Sequence, residues 1–297
     1  MLRRADAAMY TAKSGGTGQL ATAGDADRAL RRSIRLAWEL RAALDRDEMR
    51  LLYQPVVDLT DSRVVSVEAL LRWQHPERGL LAPGEFLDVA EAGDLSRPLG
   101  QWVLRTACHE ARRWQDEYGE AAPSVAVNVA AGQLVVPDFP EQVRAALDES
   151  GLPADRLVLE VTERQVLAAA EPAQSSLRTL REEDVRIALD DFGTGYSTFE
   201  YLRTFPFDML KIDRSFVSRL GCDDTDDAIV SALVNLSASL DLTVVAEGIE
   251  TRRQADVLAR LGCRRAQGYH FHRPQQPAAL DLVLGRTLER VPSSSVR

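Results

Sequence analysis

Apolar residues along this chain alternate between two rhythms. Eight short apolar runs stand out in order: RLLYQP reaching Gln54, VVSVEALLRW with Glu68, SVAVNVA with Asn128 and LVLEVT with Glu160. RIALDDFG follows with Asp190 and Asp191, then MLKID with Lys211, TVVAEGIE with Glu247 and Glu250, and RAQGYHF with Gln267. Runs of about four to eight β-rich residues bounded by turn signals read as strands buried on both faces. Between them, over 83–118, 139–150, 175–183, 225–240 and 252–261, apolar residues follow helical spacing. In the last stretch Ala255, Leu258, Ala259 and Leu261 share one face, and Gly262 follows as a stop. Strand and helix alternating with short loops predict an α/β fold, a (βα)8 TIM-like barrel. One junction departs from the pattern. Only DLTDSR, 58–63, separates the first two runs, a hairpin length, so the first strand is expected antiparallel to the rest.

The strand ends carry the chemistry. A strand buried on both faces has no structural reason to end in Glu or Asp, and in such a barrel the strand C-termini converge on one face. Glu68, Glu160, Asp190, Asp191 and Glu247 would crowd that rim, with Lys211 as the cation supplied by a strand. Two carboxylates about 4 Å apart repel by roughly 4 kcal/mol at an effective dielectric of 20, so cations are expected among them. Hard oxygen ligands with one amide suit Mg²⁺ or Mn²⁺ rather than zinc. Paired ions can clamp the attacking and leaving oxygens of a phosphodiester, so the residues alone predict metal-assisted phosphoester hydrolysis. Arg72 follows Glu68 by four on the same strand, faces the same side and suits a phosphate.

Charge and composition narrow the field. A net charge of −9 and the lack of a Lys/Arg stripe argue against duplex nucleic acid as a partner. No apolar stretch reaches transmembrane length, and the Arg-rich start lacks the apolar core of a secretory signal. Cys108, Cys222 and Cys263 are far apart and read as buried thiols in a reducing compartment. Asp191-Phe192-Gly193 mimics a kinase motif without its companion loops, and GGTG at 15–18 lacks the Lys-Ser/Thr of a phosphate loop. His270 and His272 would share one side of a strand, but the oxygen site is complete without them. Trp73, Trp102 and Trp114 read as packing residues.

Tyr53-Gln54-Pro55, EALLRW at 68–73, VNV at 127–129, LEVTE at 159–163 and LDDFGTGYS at 189–197 occur in one order with LKIDRSF at 210–216, VVAEGIET at 244–251 and QGYHF at 267–271. Together they resemble the EAL-domain family of cyclic-di-GMP phosphodiesterases over nearly all of 47–274. The resemblance implies metal ligands at Glu68, Asn128, Glu160, Asp190, Asp191 and Glu247, and a water-activating lysine at Lys211. It implies substrate contacts at Gln54, Leu70 (through its backbone), Arg72 and Gln267. Glu163 matches the glutamate that braces the loop after the fifth run, and Glu250 matches a supporting acid, so the catalytic set is Lys211, Glu68, Asp191, Glu250 and Glu163. Also implied are two divalent cations, Mg²⁺ or Mn²⁺, with Ca²⁺ inhibitory, cyclic-di-GMP as substrate and linear pGpG as product. A homodimer formed near 194–207 and a bacterial cytoplasmic setting belong to the same expectation. Ala130 and Thr198 depart from the family pattern away from any ligand position. The alternative is a catalytically silent cyclic-di-GMP receptor signalling through a partner surface. Such a receptor is expected to have lost carboxylates or the lysine, and here all are present.

Four segments result: 1–20, 21–46, 47–284 and 285–297. The first, LRRADAAMYTAKSGGTG, resembles the last helix of a GGDEF domain whose loop is absent, leaving room for upstream sensory domains. The second is a linker helix with Leu30, Ile34, Ala37 and Leu44 on a stripe expected to pack on the barrel or a partner. The third is the barrel, and the last is expected to be a disordered tail.

Overall fold

A computed structural model describes residues 23–168, 170–193, 200–222 and 224–289. The expected GGDEF-like segment 1–20 therefore lies outside the described residues, as do 194–199 of the expected self-association segment and 290–297 of the expected tail. The described residues divide into two compact units, one within 1–50 and 72–96 and the other within 51–71 and 97–297.

Nine strands are present among the described residues: β1 Met49–Asp58, β2 Val64–His75, β3 Gly79–Leu81, β4 Ser124–Asn128, β5 Leu157–Thr162, β6 Arg186–Phe192, β7 Met209–Ile212, β8 Thr243–Ala246 and β9 Arg265–Gln267. They pair in the order β1-β9-β8-β7-β6-β5-β4-β2-β3, and β1 also pairs with β2. That extra pairing closes eight strands into a barrel. β1 runs antiparallel to β9, with Val56 opposite Gln267. From β2 through β4 to β9 the barrel neighbours run parallel, as between β4 and β5, where Asn128 lies opposite Glu160. The hairpin inference from the short first loop is thus realised, with Asp58 N–H donating to Arg63 O at 2.8 Å. β3 has no counterpart in the sequence pattern, because three residues are too few to show an alternation. It forms a hairpin on the end of β2, with Trp73 opposite Leu81.

Helices lie where the 3.6-residue spacing put them, with ends set by local chemistry. Phe139–Ser150 stops at Gly151, whose φ of 69° is the left-handed conformation glycine adopts without strain. Arg252–Arg260 starts on a reciprocal cap, in which the Thr251 hydroxyl accepts from Gln254 N–H and the Gln254 side chain accepts from Thr251 N–H. The helical stretch expected over 83–118 is interrupted: Leu87–Ala92 ends at Gly93, and a second helix runs Ser96–Tyr118. The final helix, Pro277–Glu289, carries through residue 284, so 285–289 are helical rather than part of a tail. Among the described residues no helix is long and apolar enough to cross a membrane.

Two further expectations are corrected. In the helix Ala23–Asp45, Leu40 and Ala43 are fully buried, whereas Leu30 and Ile34 are 55% and 50% exposed and Trp38 is 72% exposed. Of the stripe read from the sequence, Ala37 and Leu44 are half-buried beside them, while Leu30 and Ile34 stay exposed. Cys222 is exposed, unlike Cys108 and Cys263. In the smaller unit, Trp73 is buried edge-on to Phe86 at 5.8 Å and donates to Glu48 Oε2 at 3.0 Å.

The larger unit has two apolar layers. An outer cluster between strands and helices includes Val127, Leu159, Leu189, Leu210, Val230 and Leu258. A separate inner cluster consists of Ala126, Val158, Ala188 and Met209. Each of these four sits two residues before a site residue (Asn128, Glu160, Asp190, Lys211), and alternation in a strand puts both on the same, inward side. The barrel interior is thus plugged by an apolar layer directly under the polar rim.

At the close of β9, Gly268 is fixed by packing. A Cβ there would lie 2.1 Å from Ile249 O and 2.3 Å from Ile249 N, both backbone atoms. Gly268→Ala is therefore expected to destabilise the protein by about 1–3 kcal/mol or more, as overpacking against unyielding atoms does. A thermal melt of the variant unchanged from the parent would contradict this packing.

Candidate functional site

Lys211 stands at the centre of the rim. β7 lies between β6 and β8, and its inward position at 211 places Nζ 2.8 Å from Glu160 Oε2 and 2.7 Å from Glu247 Oε1. Asp190 Oδ1 is 3.2 Å away and Glu68 Oε2 3.9 Å away. Asn128 donates to Glu68 Oε1 at 2.8 Å, and Gln267 donates to Glu68 Oε2 at 2.7 Å. The structure therefore brings together Glu68, Asn128, Glu160, Asp190, Lys211, Glu247 and Gln267 from seven strands or strand ends.

Asp191 joins them through a backbone irregularity. In a regular strand Asp190 and Asp191 would point to opposite faces. The β6–β7 register shifts between Leu189 and Phe192, and Asp191 has a φ of 54°. That left-handed residue, a conformation Asp tolerates better than most, breaks the alternation. As a result, carboxylate oxygens of Asp190, Asp191 and Glu247 lie within 4.8 Å of one another. Asp191 N–H donates to Asp190 Oδ1 at 2.9 Å, which orients the first carboxylate.

The remaining candidates are placed differently. Gln54 is buried on β1 and donates to His272 O at 3.3 Å. Leu70 is half-buried on β2, and Arg72, also half-buried, belongs to the smaller unit. Glu163 is 3% exposed as the first residue of the helix Glu163–Ala168. Glu250 is exposed and pairs with Arg214 Nη2 at 2.8 Å. His270 and His272 do not share a strand face: β9 ends at Gln267 and both lie in the turn that follows. The sequence reading also passed over Arg214 and Phe216. Their only sequence signal is that they follow the lysine strand while a glycine, Gly193 or Gly248, follows each neighbouring acidic strand end.

The electrostatics follow from one ammonium facing four carboxyl groups above an apolar plug. Burial, reinforced by Glu68, Asp190 and Glu247, holds Glu160 well above the usual carboxylate range despite the lysine. Burial likewise pushes Glu247 up to about 8, and burial with Asp190 and Asp213 raises Asp191. Glu68 goes the other way: burial pushes it up, but Lys211, Gln267 and Asn128 outweigh that and hold it below its ordinary value. Lys211, although burial opposes its charge, is held well above its ordinary value by Glu160 and Glu247 first.

This donor set fits hard divalent cations. The group of three contains carboxylates alone, without thiol or imidazole. Its raised carboxyls are those that added positive charge would return to the ionised form. Beside them, Gln267 Oε1 is buried without a hydrogen-bond partner among the described residues, an acceptor aimed at something the protein itself does not supply.

Fold and rim define the class: an α/β barrel with an oxygen-ligand site at the C-terminal ends of its strands. The chain belongs to the EAL domain family, whose profile matches residues 37–274. It is 42% identical to the bifunctional diguanylate cyclase/cyclic di-GMP phosphodiesterase MucR of Pseudomonas aeruginosa, over 92% of this chain and 40% of that protein. It is also 42% identical to the cyclic di-GMP phosphodiesterase NbdA of the same organism, over 84% of this chain and 32% of that protein. A solved phosphodiesterase structure, PaMucR in complex with c-di-GMP, superposes with a TM-score of 0.78 at 43% identity, covering 83% of this chain and 99% of that one. The EAL domain of Mycobacterium smegmatis DcpA superposes with a TM-score of 0.67 at 37% identity, covering 80% and 96%. The chain spans less than half the length of the curated relatives it matches, 47% of an uncharacterised Mycobacterium tuberculosis protein at 42% identity.

The raised carboxyls set a pH dependence. A carboxyl near 8 when folded and near 4.5 when unfolded makes the folded state bind the extra proton between those values, so stability falls as pH rises through that window. Glu68, held low, acts in the opposite sense but below the window. In a chelator, the melting temperature is expected to fall from about pH 5 to pH 8, and stabilisation by added Mg²⁺ to grow over the same range. Melts that are flat across this window with and without Mg²⁺ would contradict the placement of these carboxyls.

Proposed function

We propose that this chain hydrolyses one phosphodiester bond of cyclic-di-GMP to give linear pGpG, using Mg²⁺ or Mn²⁺ held by Glu68, Asn128, Glu160, Asp190, Asp191 and Glu247. The observation that carries the reading is the excess of carboxylates around Lys211, within 2.7–3.9 Å of its Nζ. Four carboxyl groups crowded around one ammonium on an apolar floor, two of them held well above their ordinary range, are unfavourable for the folded protein and make sense where cations and a phosphodiester are to be bound. Two divalent cations, when bound, would lower the pKa of the attacking water and neutralise charge on the phosphodiester oxygens.

The chain's own residues take the other roles. Lys211, held as an ammonium, orients the attacking water by donating to it; it is a poor proton acceptor for as long as its carboxylates surround it. Gln267 holds Glu68 through its amide N–H and keeps its oxygen free to accept from the edge of a guanine. Gln54 offers its amide from β1, and Arg72 offers a guanidinium suited to a phosphate. Relatives described as cyclic di-GMP phosphodiesterases, and a c-di-GMP complex of one, support the choice of substrate.

Incubating the purified protein with cyclic-di-GMP and Mg²⁺ or Mn²⁺, then separating the nucleotides by chromatography, should yield pGpG, and a chelator should abolish it. Tight nucleotide binding without product under both metals would establish the silent receptor instead. Ca²⁺ should inhibit, because its larger and looser coordination sphere relaxes the spacing that paired ions need.

A paired measurement separates two of the roles. Asp190→Asn should lose both metal affinity and turnover. Lys211→Ala should keep the metals and lose turnover by roughly 10²–10⁴-fold, as the removal of a positioned proton-handling group does. Hydrolysis by Lys211→Ala at close to the parent rate would remove this lysine from the role of orienting the water.

A further inference from the structure

We infer that the short helix Arg214–Val217 is a clamp that sets the spacing of the two carboxylate-bearing strand ends on either side of Lys211, with Arg214 and Phe216 as its positioning residues. The inference rests on the reading that those carboxylates hold divalent cations, and concerns what keeps them in register. β7 lies between β6 and β8 in the barrel. Immediately beyond its end, Asp213 Oδ1 accepts from Ser215 N–H at 2.9 Å and starts the helix Arg214–Val217.

From this helix one side chain reaches each neighbour. Toward β6, the Phe216 ring fills the space beside Gly193, the residue two after Asp191: a Cβ on Gly193 would lie 2.6 Å from Phe216 Cε2 and 2.7 Å from Cζ. Toward β8, the Arg214 stem fills the space beside Gly248, the residue after Glu247: a Cβ there would lie 2.4 Å from Arg214 Cγ and 2.6 Å from Cβ. Both glycines have positive φ, 95° and 69°. Each therefore marks a backbone reversal that directs the preceding carboxylate and is closed over by a side chain from the same helix. Arg214 also pairs with Glu250 at 2.8 Å, tying the far side of the β8 loop to the same point.

Asp190, Asp191 and Glu247 come from strands two apart, yet their oxygens lie within 4.8 Å. Within the barrel, the element joining those two strand ends is β7 and the helix that follows it. A ring against one hinge and a stem against the other fix the two loops relative to Lys211, three residues before Arg214. Neither side chain need touch a cation or a substrate to do so.

The test is calorimetric titration of Mn²⁺ into the parent, Phe216→Ala, Arg214→Ala, Arg214→Met and the core variant Val143→Ala, buried on the helix Phe139–Ser150, each melted in parallel. Phe216→Ala and Arg214→Ala should each weaken Mn²⁺ binding by about tenfold or more, the usual effect of losing a group that orients metal ligands. Arg214→Met, which keeps the stem over Gly248 without the charge, should recover most of the loss. Val143→Ala should lower the melting temperature and leave Mn²⁺ affinity unchanged. The assignment fails if Phe216→Ala or Arg214→Ala binds Mn²⁺ like the parent. It fails equally if Val143→Ala weakens binding as much, or if Arg214→Met is as weak as Arg214→Ala. A parent that binds no Mn²⁺ would overturn the metal reading and the clamp with it. Variants that bind like a binding parent would overturn the clamp alone.

Discussion

One ammonium group buried among four carboxylates is the interaction on which the rest of this site depends. Lys211 approaches Glu160 and Glu247 at 2.8 and 2.7 Å, and without it those acids would face one another across a floor of Ala126, Val158, Ala188 and Met209. The apolar floor matters as much as the charges, since it removes water that would otherwise screen them. Floor and rim are produced by one device, the two-residue alternation of a strand, which sets a small or apolar side chain directly beneath each charged one. The lysine does not balance the site. It lowers the repulsion among the acids and still leaves Glu160 and Glu247 raised, a state that added positive charge would relieve.

Alternation alone could not have built the group. Three oxygens within 4.8 Å require two consecutive aspartates on one side, and the positive φ of Asp191 with the shifted register at the end of β6 provides that. Gly193 and Gly248 follow the two acidic strand ends for a related reason: each chain must turn sharply outward just after its carboxylate while another side chain lies against it. Backbone conformations that are sparsely populated elsewhere are thus concentrated at the rim, where surrounding packing holds them.

These features differ in how far the sequence discloses them. The barrel, its antiparallel first strand and the acids at its strand ends were legible because each depends on local pattern: apolar runs, a six-residue hairpin connection, and a charged residue where burial should forbid one. What was not legible depends on tertiary contact. β3 is three residues long and exists by pairing with β2. The buried face of Ala23–Asp45 is set by what Leu40 and Ala43 pack against, which periodicity cannot name. His270 and His272 fell off the strand because Gly268 meets the Ile249 backbone and turns the chain, a contact between residues far apart in the sequence pattern. Arg214 and Phe216 carry no chemical label at all, and their placement shows only once β7 is seen between its two neighbours.

The distribution of charge also bears on the choice between an enzyme and a silent receptor. A protein that only holds a dianionic nucleotide gains nothing from five carboxylates beside it; like charges oppose binding and destabilise the empty fold. Retaining Glu68, Glu160, Asp190, Asp191 and Glu247 around a desolvated lysine is an expensive arrangement of the kind found where a site is built for reaction rather than for stability. A protein that only bound a nucleotide could do so with amides and arginines alone and would be more stable without the acids. On the proposed reading, cations held at the rim would turn these acids from a liability into a binding site.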